Sequence, residues 1–358
     1  MEVIVPVFLI SFFITFSTIP VIIKYSVQKQ LLDKPGGRKI HKVKTPALGG
    51  IGISFGFLIA LSFGLSLQEI YQYKYLVGSI LLIIILGIRD DLLPMGPYYK
   101  LLGQIFVGLL VIFFGNVRLT SMHGFFGIGE LPLILSYLLS LFVIIVITNA
   151  FNLIDGLDGL CGTIGSISLM MFGYWFYSIG NVTMSILVAC LLGGIFAFLK
   201  FNYSPAQIFM GDTGALMIGF VISIVAILFI ETNFQLPVAH PSFFQNGITT
   251  SIAFMIYPLY DTLRIFTLRI LKKRSPFSPD KSHVHHLIMR MGNTHTRTTI
   301  ILAIHTVLII IVVWLMKNLS DNVALPILLL LCIALGIVLD FRLSVAFPKK
   351  TPKKKIFK

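Results

Sequence analysis

The sequence predicts an all-α protein that crosses a membrane many times. Three observations carry that expectation. The 358 residues are 56% hydrophobic and only 12% charged, about half the charged share of an ordinary soluble domain. The mean hydropathy is +0.94. Apolar stretches of about 18 residues or more, long enough to span a bilayer as a helix, recur from end to end.

In order, the apolar segments are 3–23, 47–67, 74–92, 98–116, 131–149, 160–179, 182–200, 213–231, 247–270, 299–316 and 323–341, eleven in all. The first lacks a basic leader and a small-x-small cleavage site, so it is expected to remain as a helix. An odd number of spans puts the termini on opposite faces. Basic residues gather after the first span (Lys24, Lys29, Lys34, Arg38, Lys39, Lys42, Lys44), after the ninth (Lys272, Lys273, Arg274, Lys281, Arg290, Arg297) and in the tail. That distribution places all three regions in the cytoplasm and the N-terminus outside, with Lys74, Arg118 and Lys317 left at the outer ends. The expected organisation is one integral membrane catalytic domain, 1–341, and a basic cytoplasmic tail, 342–358. A net charge of +14 would suggest nucleic acid in a soluble chain. Here topology and the anionic headgroups of the lipid bilayer account for it, and no nucleic-acid partner is expected. Cys161, Cys190 and Cys332 form neither a CxxC pair nor a disulfide framework.

On this topology five carboxylates from three separate junctions share the cytoplasmic face: Asp90 and Asp91 in GIRDD, Asp155 and Asp158 in NAFNLIDGLDGLC (149–161), and Asp212 in FMGDTG. Each group alone also suits a simpler role, as a salt-bridged helix end, a turn or a helix cap for which Thr213 is a second candidate. Adjacent carboxylates such as Asp90 and Asp91 need a nearby cation, and Arg89, Lys100 or a divalent metal can supply it. If the backbone stays helical, Asn149, Asn152 and Asp155 lie on one face. Oxygen ligands of this kind suit Mg2+ or Mn2+ and leave coordination positions for substrate phosphates, which points to phosphoryl chemistry beside the bilayer. No Walker A lysine motif is present. The segment 279–286, PDKSHVHH, sets His283, His285 and His286 beside Lys281, an anion-binding pattern; zinc binding lacks a cysteine partner.

The motifs DKPGGRKIH, TPALGG, GIRDD with KLLGQ, NAFNLIDGLDGL, FNYSPAQIFMGDTGALMIG, YPLYDTLRI and SPFSPDKSHVHHLI occur in order between residues 33 and 288. Together they resemble the polyprenyl-phosphate N-acetylhexosamine-1-phosphate transferases, the WecA/TagO-like branch of the glycosyltransferase 4 superfamily that includes MraY. That resemblance implies transfer of a sugar-1-phosphate from a UDP-N-acetylhexosamine to undecaprenyl phosphate, with release of UMP and dependence on Mg2+ or Mn2+. It implies the cytoplasmic face of the bacterial inner membrane and a start to cell-surface glycan assembly. By the same resemblance Asp212 is the principal metal ligand and Asn152 a second. Asp90 and Asp91 act on the lipid phosphate, and His283, His285 and His286 hold the diphosphate or sugar. Gly156, Leu157 and Asp158 contact uracil, Phe209 stacks on it, and Lys44 and Lys100 line the cleft; Asp155, a further cofactor-binding candidate, faces the metal end of that cleft with Asn152. The pair reads DDLLP, so a side-chain role at its fifth position elsewhere does not apply to Pro94. The histidine pattern fits this branch better than a muramyl-pentapeptide substrate. GlcNAc-1-phosphate is the expected group, a homodimer is left open, and a transporter is the rival class, disfavoured because the carboxylates lie at span ends.

Overall fold

The computed structural model describes residues 2–32, 45–273 and 283–346, with side chains as far as 337. Within them the chain forms α1 (Ile4–Gln28), α2 (Gly49–Gly64), α3 (Leu67–Gln72), α4 (Lys74–Leu92), α5 (Pro97–Phe113), α6 (Leu133–Ile154), α7 (Leu160–Ser178), α8 (Val182–Asn202), α9 (Gly211–Asn233), α10 (Gly247–Phe254), α11 (Ile256–Leu271), α12 (Val284–Arg290), α13 (His295–Leu315) and α14 (Asp321–Ala346). The fold is all-helical, as the apolar periodicity predicts. Five helices, α1, α6, α8, α9 and α13, are long and apolar enough to cross a membrane, α2 and α5 are shorter apolar helices, and α14 is apolar over Asp321–Ile337, the part whose side chains are described. Polytopic membrane architecture follows.

Burial ranks the helices. The apolar stretch of α9 is 94% buried and that of α8 83%, against 22% for α1. A helix buried on all sides forms the centre, and one buried on a single stripe faces lipid. α9 packs against α2, α4, α6, α7 and α10. Small residues permit the closest of these approaches. A Cβ on Gly87 of α4 would lie 2.4 Å from the Thr213 Cα, and one on Gly50 of α2 would lie 2.1 Å from the Gly214 amide nitrogen.

Two boundaries differ from the hydropathy pattern. α6 continues to Ile154, five residues past the expected end, and so carries Asn149 and Asn152 on helical backbone. Hydropathy falls at the first polar side chain, whereas a helix continues while its polar groups have partners. The segment 247–270 is two helices, broken at Met255 (φ −126°, ψ 30°). Pro258 explains the break: its ring would meet the Phe254 carbonyl four residues back, and it has no N–H to donate there. Ser168 Oγ donates to that freed carbonyl at 2.7 Å.

The start of α9 is held from outside its own sequence. No side chain at the Met210 N-cap position accepts from the first turn. Asp91, at the end of α4, does so instead: its Oδ1 accepts from the Asp212 amide (2.7 Å), and its Oδ2 from the Thr213 amide (3.0 Å) and hydroxyl (2.5 Å). Thr213, a candidate cap by sequence, is thus a donor to Asp91. Gly211 makes the approach feasible, with φ +74° and a site where a Cβ would lie 2.2 Å from the Ala47 carbonyl and 2.7 Å from an Asp91 oxygen. Only glycine fits there without strain.

Two substitutions test this frame. Asp91→Ala leaves two amides and a hydroxyl of α9 without their acceptor, and stability should fall by about 1–3 kcal/mol, read as a lower unfolding temperature in detergent. Gly87→Ala should lower that temperature as well. Gly78→Ala in the same helix, where a Cβ meets nothing within 4 Å, should leave it unchanged.

Candidate active site

The ends of α4 and α6 and the starts of α5, α7 and α9 meet on one face. Lys100, in the first turn of α5, sits at their centre. Its Nζ lies 3.1 Å from Asp90 Oδ2, donates to Asp212 Oδ1 at 2.5 Å and approaches Asn152 Oδ1 at 3.4 Å. Asn152 Nδ2 also donates to Asp212 Oδ1, at 2.6 Å. Four predicted site residues, 122 positions apart at the extremes by Asp90 and Asp212, therefore share one half-buried cluster. One turn further along the same two helices, Gln104 and Asn149 exchange amide hydrogen bonds of 2.6 and 3.3 Å. Asn149 is engaged in this rung, whereas Asn152 faces the cluster.

The adjacent carboxylates have separate surroundings. Asp91 is committed to the α9 amides, while Asp90 accepts from the Met95 amide at 2.6 Å through Oδ1 and turns Oδ2 to Lys100. Lys100, and not Arg89, supplies the cation for the pair. Arg89 is exposed and donates to the Leu93 carbonyl.

The loop after α6 is fastened at both ends. Asp155 is the last capping residue of α6 and is half-buried. Burial raises its pKa well above the usual carboxylate range, and the nearby Asp212, Asp91 and Asp158 carboxylates push the same way. Gly159 takes φ +75°, and its amide donates to Asn202 Oδ1 at 2.8 Å. Asp158 is buried, with Oδ2 3.2 Å from His295 Nδ1; its carbonyl accepts from Thr299 Oγ1 at 3.2 Å. Leu157 is buried and Gly156 exposed. Phe209 is half-buried, and its amide donates to the Pro46 carbonyl at 2.7 Å while its carbonyl accepts from Gly49.

Past residue 282 the histidines come back to this loop. His285 is 1% exposed, and a Cβ on Gly156 would lie 3.8 Å from its Nε2. Burial pushes the His285 pKa down to about 3, so its imidazole is neutral at physiological pH. The ring centroids of His285 and half-buried His286 are 4.4 Å apart. His283 is fixed by Asp261, a residue absent from the sequence-predicted set. A lone carboxylate inside YPLYDTLRI, within an apolar span, was the signal that could have found it. Lys44, Lys281 and His41 lie outside the described residues.

The donor set can be weighed against a divalent cation. Among the described residues no group of three or more His, Cys, Asp or Glu side chains is arranged to hold a metal alone. Oxygens of Asp90, Asn152 and Asp212 nevertheless converge on one positive charge, the Lys100 ammonium. With Asp91 and Asp155 close by, carboxylates outnumber the cation that offsets them among the described residues. A hard ion that takes one or two carboxylates and keeps positions for phosphate oxygens fits this set.

Comparison with known proteins follows the same lines. Residues 73–230 match the glycosyl transferase family 4 model. A Bacillus subtilis (strain 168) protein described as a probable undecaprenyl-phosphate N-acetylglucosaminyl 1-phosphate transferase is 30% identical over 84% of this chain and 81% of its own length. The Escherichia coli (strain K12) undecaprenyl-phosphate alpha-N-acetylglucosaminyl 1-phosphate transferase is 30% identical over the same shares. The Yersinia pestis protein of that name is 28% identical over 80% of this chain and 77% of its own. With the motifs, the helical frame and this likeness in agreement, the chain belongs to glycosyl transferase family 4.

Proposed function

We propose that the protein transfers N-acetylglucosamine-1-phosphate from a UDP-sugar to undecaprenyl phosphate and releases UMP. The names of its relatives supply the acceptor and the sugar. The observation that carries the reading is the cluster of Asp90, Lys100, Asn152 and Asp212 at the meeting of four helix ends. In this reading the protein has eleven spans with the N-terminus outside. The cluster then faces the cytoplasm at the bacterial inner membrane, where both a soluble nucleotide sugar and a lipid phosphate can reach it.

Asp212 and Asn152 would hold Mg2+ or Mn2+, with Lys100 giving up part of its contact as the ion binds. When bound, the ion supplies charge neutralisation of the diphosphate and of departing UMP. The chain's own residues do the rest. Asp90, with one oxygen turned into the cleft, takes a proton from the lipid phosphate or holds it dianionic. A lipid phosphate oxygen then bonds to the β-phosphorus of the donor as the bond from that phosphorus to the bridging oxygen breaks. Asp91, with both oxygens engaged by α9, positions Asp212 and is not the base. The loop 155–159 and Phe209 receive the uridine, and the histidines receive the phosphates.

Membranes carrying the protein should convert labelled UDP-GlcNAc and undecaprenyl phosphate to a lipid-linked product only with divalent metal present. Absence of such a product with any UDP-N-acetylhexosamine rejects the reading. Asp212→Ala and Asp90→Asn should each lower the rate by about 100-fold or more, and Asp90→Asn should leave the unfolding temperature near that of the unaltered protein. Asp91→Ala should lower both. For orientation, an impermeant maleimide applied to intact cells should label Lys74→Cys and spare Tyr98→Cys. Both positions are exposed and the three native cysteines are buried.

A further inference from the structure

We propose that Asp261 and Tyr257 are positioning residues of the histidine segment: Asp261 orients His283, and Tyr257 orients His285, toward the phosphate groups of the substrate. The inference rests on the phosphotransferase reading above and adds two residues to it. Asp261 lies within an apolar helix and is 1% exposed. A carboxylate there is expensive unless it has a defined partner. It has two. Its Oδ2 lies 2.7 Å from His283 Nδ1, and its Oδ1 accepts from the Val284 amide at 2.8 Å. The first contact sets the ring and its tautomer, because an imidazole that gives Nδ1–H to a carboxylate turns its other nitrogen away. The second caps α12, whose own N-cap side chain, His283, accepts from no amide of the first turn.

Tyr257 stands one turn before Asp261, on the same face of α11. Its hydroxyl lies 3.1 Å from His285 Nδ1. Two partners at i and i+4 on the helix thus meet two histidines at i and i+2 on the segment. The rings of His283 and His285 are held nearly parallel, 18° apart with centroids separated by 5.4 Å. The far edge of His285 is then the one directed at Gly156, at the mouth of the loop that carries Asp155. Tyr257 and Asp261, on one face of α11, thus hold the two imidazoles at the start of α12 in a fixed relation.

The test is a double-mutant cycle in the full-length protein, with lipid-linked product formation as readout. Asp261→Asn keeps an acceptor for the Val284 amide and loses the charge beside His283. It should lower kcat by about 10- to 100-fold, the range seen when the outer partner of a metal-ligating imidazole is lost, with KM for undecaprenyl phosphate within about twofold. Added to His283→Ala, Asp261→Asn should lower the rate by no further factor beyond about two. Multiplying losses mean that Asp261 acts independently of His283, and they overturn the proposal, as does full activity of Asp261→Asn. Should Asp261→Asn fail to accumulate, Tyr257→Phe coupled in the same way to His285→Ala carries the test with a single hydroxyl removed. An unaltered protein that makes no product rejects the phosphotransferase reading itself. An active one that is indifferent to both substitutions rejects this inference alone.

Discussion

The bond from Asp91 to the start of α9 is the constraint on which the rest of the structure hangs. A helix that begins inside a membrane protein exposes amides that hydrocarbon cannot satisfy, and each such group costs several kcal/mol if left alone. α9 is the most buried of the five membrane-length helices described, and its first turn passes from half-buried at Gly211 and Asp212 to fully buried at Thr213. Asp91 accepts from two of those amides and from the Thr213 hydroxyl. The bond also determines where α4 and α9 cross, with Gly87 against Thr213. It fixes the direction of Asp212, whose own amide is one of the donors. The position proposed for a metal ligand is thereby set by a backbone hydrogen bond, which has less freedom than a side-chain contact.

The same device recurs. Asp261 caps α12 from α11, and Asp321 accepts from the amides of Ile248 and Thr249 at the start of α10. In each case the side chain at the N-cap position accepts from no amide of the first turn, and a carboxylate from a neighbouring helix takes its place. A negative charge at a helix N-terminus gains from the macrodipole as well as from the hydrogen bonds. Tertiary capping ties two helices together where a local cap would tie a helix only to its own lead-in. Two of these three ties stand beside predicted site residues, which gives the cluster rigidity without any disulfide.

The helical frame was legible because hydropathy reports on burial in lipid directly. The convergence of Asp90, Asn152, Asp155 and Asp212 was legible because topology sorts junctions onto faces. The separate tasks of Asp90 and Asp91 were not. Neighbours on a helix point about 100° apart, and which of the two meets α9 depends on a partner more than a hundred residues away. Asp261 was passed over for a related reason: a single carboxylate within an apolar span carries no local sign of its partner, and His283 follows 22 positions later. Pro258 did signal the break at Met255, yet the run of apolar residues on both sides of it joined 247–270 into one span. The extension of α6 to Ile154 was hidden in the opposite way, because Asn149 and Asn152 look like a loop until Gln104, Lys100 and Asp212 are known to meet them.

The break at Met255 has a consequence for the histidines. A continuous helix through residue 255 would need Pro258 in its interior, where it costs about 3 kcal/mol or more. Starting α11 anew at Ile256 places Pro258 in a first turn, where its missing N–H is no loss. It also frees the new helix from the axis of α10, so that Tyr257 and Asp261 can be aimed by α11 alone. The two residues that hold His285 and His283 are thus the first and second turns of a helix that begins where the proline requires it to begin. Proline, tyrosine and aspartate in YPLYD make one unit: the first sets where the helix starts, and the other two fix what it presents.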